Sequence, residues 1–167
     1  MIATTTISVE KIKSILHEVM DPEVPVLSVI DLGIIRDIII HDNETEIIIT
    51  PTYSGCPAMD VISMNIRMVL LSYGFNNIKI TTILSPAWTT DWMSEEGKQK
   101  LKEYGIAPPN PKQQVCRTDL FVANEAIQCP HCNSYHTHRV SEFGSTACKS
   151  LYQCDDCKEP FDYFKCH

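Results

Sequence analysis

Four cysteines towards the end of this chain constrain its fold more than any other feature. "CPHC" (Cys129, Cys132) and "CDDC" (Cys154, Cys157) make a C-x2-C unit, 21 intervening residues, and a second C-x2-C unit. Two thiolates two residues apart can face one ion across a tight turn, and two such knuckles complete a tetrahedron. About forty residues, from 127 onward, cannot bury enough apolar surface to hold themselves folded. A structural Zn²⁺ contributes about 10–16 kcal/mol of apparent binding free energy in small zinc peptides, and would supply what such a core lacks. "YHTHRVS", "KSLYQC" and "FDYFKC" read as strands between and after the knuckles, so the segment is expected to be a zinc ribbon. A rubredoxin-like iron site uses similar knuckles and is the alternative metal. A redox dithiol fits less well, because neither pair follows the strand of a βαβ unit. Cys148 and Cys166 are surplus: either could replace one ligand, or pack as a small buried side chain. His131 lies inside a knuckle and could offer a nitrogen or stand in solvent. His136 and His138 alternate on an expected strand face, where a second metal is an option. His167 ends the chain.

The remainder reads as a helix and strand pattern. "SVEKIKSILHEV", residues 8–19, places Val9, Ile12, Ile15, Leu16 and Val19 at helical spacing behind the N-cap Ser8. "DPEVP" ends it, because Pro22 drives Asp21 out of helical geometry. "GIIRDIIIH" and "TEIIIT", joined by "DNE", read as a β-hairpin. A second helix spans 57–73, with Met59, Ile62, Ile66, Val69, Leu70 and Tyr73 as its apolar stripe and Gly74 at C′. "NIKITTIL" is a third strand. The order α-β-β-α-β predicts an α+β domain, a small mixed sheet with helices on one face. A short helix over 94–104, capped by Ser94, extends it. "APPNP" marks a linker. The expected domains are 1–107, a linker 108–126, and the ribbon 127–167. Cys116 falls in the linker and has no assigned role.

The formal charge of −7 gives no electrostatic case for nucleic acid or an anionic membrane. In the ribbon Arg139, Lys149, Lys158 and Lys165 meet Glu142, Asp155, Asp156, Glu159 and Asp162, so no basic face is expected there. No run is long and apolar enough to span a bilayer. The first residues lack a basic region followed by an apolar one, so no signal peptide is expected. A cytoplasmic protein follows, with reduced thiols that favour metal ligation over disulfides.

Cys56 stands apart from the cluster, in "TPTYSGCPAMD". Pro57 suits a first helical position and puts Cys56 at the N-cap. Unsatisfied N–H groups and the positive end of the helix dipole converge there, which should lower the thiol's pKa. Gly55 would allow another backbone or ligand to approach. A thiolate so placed could attack an electrophile or hold a soft metal; a buried cap cysteine is the competing reading. No histidine base, oxyanion-hole motif or phosphate-cradling glycine loop accompanies it, so an enzyme is not expected.

"DPEVPVLSVIDLGIIRDI" followed by "TPTYSGCPAMDVI" resembles the SufT-like metal–sulfur cluster biosynthesis family over residues 8–84. With "SPAWTTDWMSEEGKQKL" and "CPHCNS…SEFGSTACKSLYQCDDCKEPFDYFK", the chain resembles the PaaD family of the phenylacetate catabolic cluster nearly end to end. This resemblance implies an accessory or maturation role for the multicomponent 1,2-phenylacetyl-CoA epoxidase, with the flavin and [2Fe–2S] reductase component as client. A stoichiometric, non-catalytic structural subunit is the alternative. The SufT-like resemblance puts Cys56 at the cysteine associated with cluster chemistry, and Asp21, Glu23, Asp31 and Thr52 in the other family motifs. Asp31 and Glu23 are either ligands or loop caps, and an aspartate before a turn more often bonds its own backbone. A single thiolate cannot hold a [2Fe–2S] cluster, which needs four cysteines or close substitutes. A transient Fe or Fe–S cargo would therefore need a homodimer, or a complex with a scaffold or carrier and the client.

Overall fold

In the computed structural model, residues 8–41, 44–109 and 127–165 are described. The chain divides into two compact units, Met1–Trp88 and Thr89–His167. Among the described residues no helix is long and apolar enough to cross a membrane.

The first unit holds helix α1 (Val9–Leu16), strands β1 (Ile35–His41) and β2 (Glu44–Ile49), helix α2 (Ala58–Ser72) and strand β3 (Ile78–Thr82). The order of elements is the one the sequence predicts. β1 and β2 pair antiparallel; β2 and β3 pair parallel, giving a sheet ordered β1-β2-β3. A parallel pair needs a crossover, and α2 is that crossover. Burial alternates along β2: Thr45, Ile47 and Ile49 are buried between half-buried neighbours, so one sheet face is covered. α1 lies beside α2 and β1, and α2 beside β3. Ile12, Ile15, Leu16, Ile47, Ile49, Ile62, Ile66 and Leu70 form the core of this unit.

The ends of the helices follow from local chemistry. The Ser8 hydroxyl accepts the Lys11 N–H at 3.2 Å. α1 stops at Leu16, earlier than its periodicity suggests. Glu18 N–H bonds Ile15 O and Val19 N–H bonds Leu16 O, so the last turn tightens to i→i+3 spacing while Val19 stays buried. α2 ends on Gly74 at φ +91°, where Phe75 N–H reaches Leu70 O and Gly74 N–H reaches Leu71 O. This is the paired Schellman bond pattern. Tyr73, expected on the buried stripe, is instead exposed and its hydroxyl donates to Glu18. Among the buried residues of α2 are Ala58, Ile62, Ile66 and Leu70, and Val61, Met64, Met68 and Leu71 are exposed.

The second unit begins with a 3₁₀ turn (Thr90–Trp92) and helix α3 (Glu95–Glu103), whose N-cap Ser94 accepts the Gly97 N–H at 2.9 Å. Strands β4 (Ile106–Ala107), β5 (Thr137–Ser141), β6 (Lys149–Cys154) and β7 (Pro160–Phe164) form one sheet, ordered β4-β7-β6-β5. β5, β6 and β7 are the three strands read from the sequence. β4 is not: two residues leave no periodicity to detect. Its parallel pairing with β7 draws Ile106 and Ala107 into the ribbon's sheet, although the sequence reading ended the first domain at 107. Ala107, Ile127, Cys129, Tyr152, Cys154, Phe161 and Tyr163 make a small core. Within it Tyr152 stacks on Phe161 at 5.9 Å and meets Tyr163 edge-on at 5.8 Å. Most of the expected linker, with Cys116, lies outside the described residues, as do Cys166 and His167.

Candidate functional site

Two sulfur sites stand out, one in each unit. In the ribbon the two knuckles have the same backbone plan. Cys129 N–H bonds Ser134 O at 2.8 Å, and Cys154 N–H bonds Glu159 O at 3.1 Å, each five residues on. The residue after each pair, Asn133 at φ +62° and Lys158 at φ +65°, turns the chain through the left-handed region. The first sulfur of each knuckle accepts amide N–H groups from its own turn: Cys129 from Cys132 and His131, Cys154 from Cys157 and Asp156. The sulfur atoms of Cys129, Cys132, Cys154 and Cys157 all lie within 4.8 Å of one another. Cys129 and Cys157 are 3.7 Å apart, and Cys132 and Cys154 are 3.5 Å apart. A tetrahedron with Zn–S bonds of about 2.3 Å has edges of about 3.8 Å, so this all-sulfur donor set fits a zinc ion.

Backbone N–H groups, burial and neighbouring sulfur set the proton affinities of Cys129, Cys154 and Cys157 apart. The Cys157 N–H pulls Cys154 down to about 7. The Glu159 N–H pulls Cys157 down too, but burial and the neighbouring thiols outweigh it and push it up to about 12. Burial pushes Cys129 up. A divalent metal held by Cys129, Cys132, Cys154 and Cys157 would displace these protons. Cys148 is apart from this group; it is buried, with its sulfur 3.0 Å from the Thr146 hydroxyl. His131 is exposed, its ring against Gly105. None of the described cysteines is in a disulfide.

The second site is built by the loop between β2 and α2. Thr50 N–H bonds Ile34 O at 2.9 Å, anchoring the loop to the chain ahead of β1. Gly55 adopts φ +89° and Cys56 N–H bonds Tyr53 O at 3.3 Å, closing a turn. A Cβ on Gly55 would meet nothing within 4 Å, so the backbone conformation, not a close approach, calls for glycine here. α2 starts at Ala58 with Pro57 as its N-cap residue, one position later than the sequence reading placed it. Cys56 thus precedes the cap, half-buried, and its sulfur still accepts the Ala58 N–H and a bond from the Tyr53 side chain.

The expected low thiol pKa is not found. Burial pushes the Cys56 thiol above its ordinary value, and the carboxylates of Glu23 and Asp21 push it further; the Ala58 N–H and Tyr53 oppose them without prevailing. The fold therefore brings the "DPE" carboxylates within electrostatic reach of the "GCP" thiol. Asp21 also acts as a loop cap, its Oδ1 accepting the N–H of Glu23 at 2.7 Å and of Val24 at 2.8 Å. Asp31 is buried and accepts the Ser28 N–H at 3.1 Å and hydroxyl at 2.8 Å. Thr52 is half-buried on the loop. Two loop residues were missed from sequence. Tyr53 was not singled out, although it lies three residues before the thiol. Thr50 is buried with its hydroxyl unpartnered among the described residues, and no sequence signal marks it.

Comparison with known proteins places these two sites in recognised domains. Residues 9–78 match the family described as "Iron-sulfur cluster assembly protein", and residues 113–165 match the "PaaD zinc beta ribbon domain". An Escherichia coli (strain K12) protein, named as a putative component of the 1,2-phenylacetyl-CoA epoxidase, is 46% identical over 158 residues, covering 95% of this chain and 93% of that protein. A Porphyromonas gingivalis (strain ATCC BAA-308 / W83) protein named "Fe-S protein maturation auxiliary factor" is 38% identical over 94 residues, covering 55% of this chain and 89% of that one. Among solved structures, the "Domain of Unknown Function DUF59 from Bacillus anthracis" superposes with a TM-score of 0.52 at 28% identity, covering 55% of this chain and 89% of that one.

Proposed function

We propose that this chain, which belongs to the PaaD family alongside its Escherichia coli relative, is a non-catalytic accessory component of a phenylacetyl-CoA epoxidase system, assisting iron–sulfur cluster assembly. It acts in the cytoplasm. Its client is the reductase component that carries flavin and a [2Fe–2S] centre. Cys56 handles iron or cluster in transit, and the zinc-held ribbon docks a partner.

One observation carries the reading: burial, and with it the negative charge of Glu23 and Asp21, disfavours a bare thiolate at Cys56, on the loop that leads into α2. Negative charge beside a sulfur penalises a bare thiolate and rewards a thiolate paired with a cation. A ferrous ion arriving there would be drawn by that negative charge to a thiol that yields its proton on binding, although Asp21, Glu23 and Cys56 do not close into a ligand cluster by themselves. Such a site is poor at nucleophilic attack and suited to brief metal custody. One thiolate cannot hold a [2Fe–2S] cluster alone, so a second copy of the chain, or the carrier and client together, supply the remaining ligands.

The test is transfer of ⁵⁵Fe-labelled cluster from a scaffold protein to the apo-reductase. Wild type accelerates transfer and Cys56→Ser does not; equal transfer by both discards the reading. The name of the Escherichia coli relative favours a second reading, a structural component of the epoxidase in which both sulfur sites serve assembly. Co-purification separates the two, because a structural component stays with the epoxidase at fixed stoichiometry and a maturation factor does not.

A further inference from the structure

We propose that His136 and His138 form an open, exchangeable site for a divalent transition-metal ion on the outer face of the ribbon, separate from the four-sulfur centre. His138 lies on β5, the edge strand of the ribbon's sheet, and His136 directly precedes that strand's first residue, Thr137. Thr137, between them, donates its hydroxyl to Ile127 O at 2.6 Å. Both imidazoles are accessible, with side-chain exposures of 79% for His136 and 46% for His138.

Each ring is held by its own carboxylate. His136 Nδ1 lies 3.2 Å from Asp156 Oδ1, and His138 Nδ1 lies 3.0 Å from Asp155 Oδ1. An ionised carboxylate only accepts, so each Nδ1 carries a proton, and Nε2 is the ring nitrogen left to face a metal. This is the arrangement that orients metal-binding histidines elsewhere: carboxylate on one nitrogen, metal on the other. The carboxylates are themselves fixed. The Ser134 hydroxyl donates to Asp156 and also accepts the His136 N–H at 3.0 Å, while Asp155 N–H bonds His136 O at 2.7 Å. Both aspartates come from the second knuckle, so folding of the four-sulfur centre sets the positions of the pair.

Imidazole nitrogen suits Zn²⁺, Ni²⁺, Cu²⁺ and Co²⁺ better than the hard cations. Two protein ligands leave the other coordination positions to water or to a side chain of a partner, which makes the ion exchangeable. The site is independent of the role given to Cys56.

Ni²⁺ added to the zinc-loaded full-length chain tests this, read by paramagnetic broadening of the imidazole proton resonances and by calorimetry. One Ni²⁺ equivalent is expected to broaden His136 and His138 before His17 and His41. The double variant His136→Ala/His138→Ala should lose this binding with zinc content unchanged. Asp155→Asn and Asp156→Asn, which keep both imidazoles, should each weaken it about 10–100-fold, the usual cost of removing an orienting partner. Uniform broadening of all histidines, wild-type affinity in the double variant, or unchanged affinity in both aspartate variants would overturn the proposal.

Discussion

Burial, together with the negative charge of Glu23 and Asp21, holds the Cys56 thiol above its ordinary pKa against the Ala58 N–H and Tyr53, which favour its ionised form. Alkylation by iodoacetamide at pH 7 should therefore be slower than for a cysteine in an unfolded peptide, and should climb with pH beyond the ordinary thiol value of 9.0. Glu23→Gln, which removes the larger of the two charge effects, should quicken labelling at neutral pH; peptide mass spectrometry reads the rate. The sign for stability follows. The folded thiol keeps its proton at pH values where the unfolded one has lost it, so this group's contribution is intact below about pH 9 and is lost as pH rises towards the folded pKa. The thermal midpoint should fall less steeply above that pH in Cys56→Ser than in wild type. At Gly55, φ +89° makes alanine costly by about 1–2 kcal/mol although its Cβ meets no neighbour, a loss measurable by urea unfolding. The knuckle cysteines were legible in the sequence because their spacing alone carries the chemistry. The state of Cys56 was not, because Asp21 and Glu23 reach it only through folding, from more than thirty residues away.

Among the elements, α2 shows how position on a helix sorts the cost of a mutation. Ile66 is fully buried, while Met68, two residues on, is 60% exposed. Ile66→Ala should cost about 2–5 kcal/mol and Met68→Ala about 0.5 kcal/mol or less, compared by chemical denaturation. Helix starts were readable where a hydroxyl caps them, as at Ser8 and Ser94, because the signal sits in the residue itself. The end of α1 was not readable from periodicity, since Val19 is still buried after the helical bonds stop. β4 lay beyond sequence reasoning, because its strand character comes from pairing with β7 more than fifty residues later.

At the level of the whole molecule, the two units have separate cores, one of packed isoleucine and leucine and one small and organised around sulfur. Chelation of zinc under reducing conditions should thus abolish amide protection in β5, β6 and β7 while β1, β2 and β3 keep theirs, as hydrogen exchange would report. The four-cysteine cluster was legible from composition and spacing, since cysteine, histidine and aromatics gather after residue 127. The attachment of Ile106 and Ala107 to the ribbon's sheet was not, and it has a topological result. Ala107 and Ile127 sit in one core, so one body holds both flanks of the stretch 108–126. A single backbone cut engineered within it would therefore release nothing: the nicked chain should elute as one particle under native conditions and part into two fragments only in denaturant.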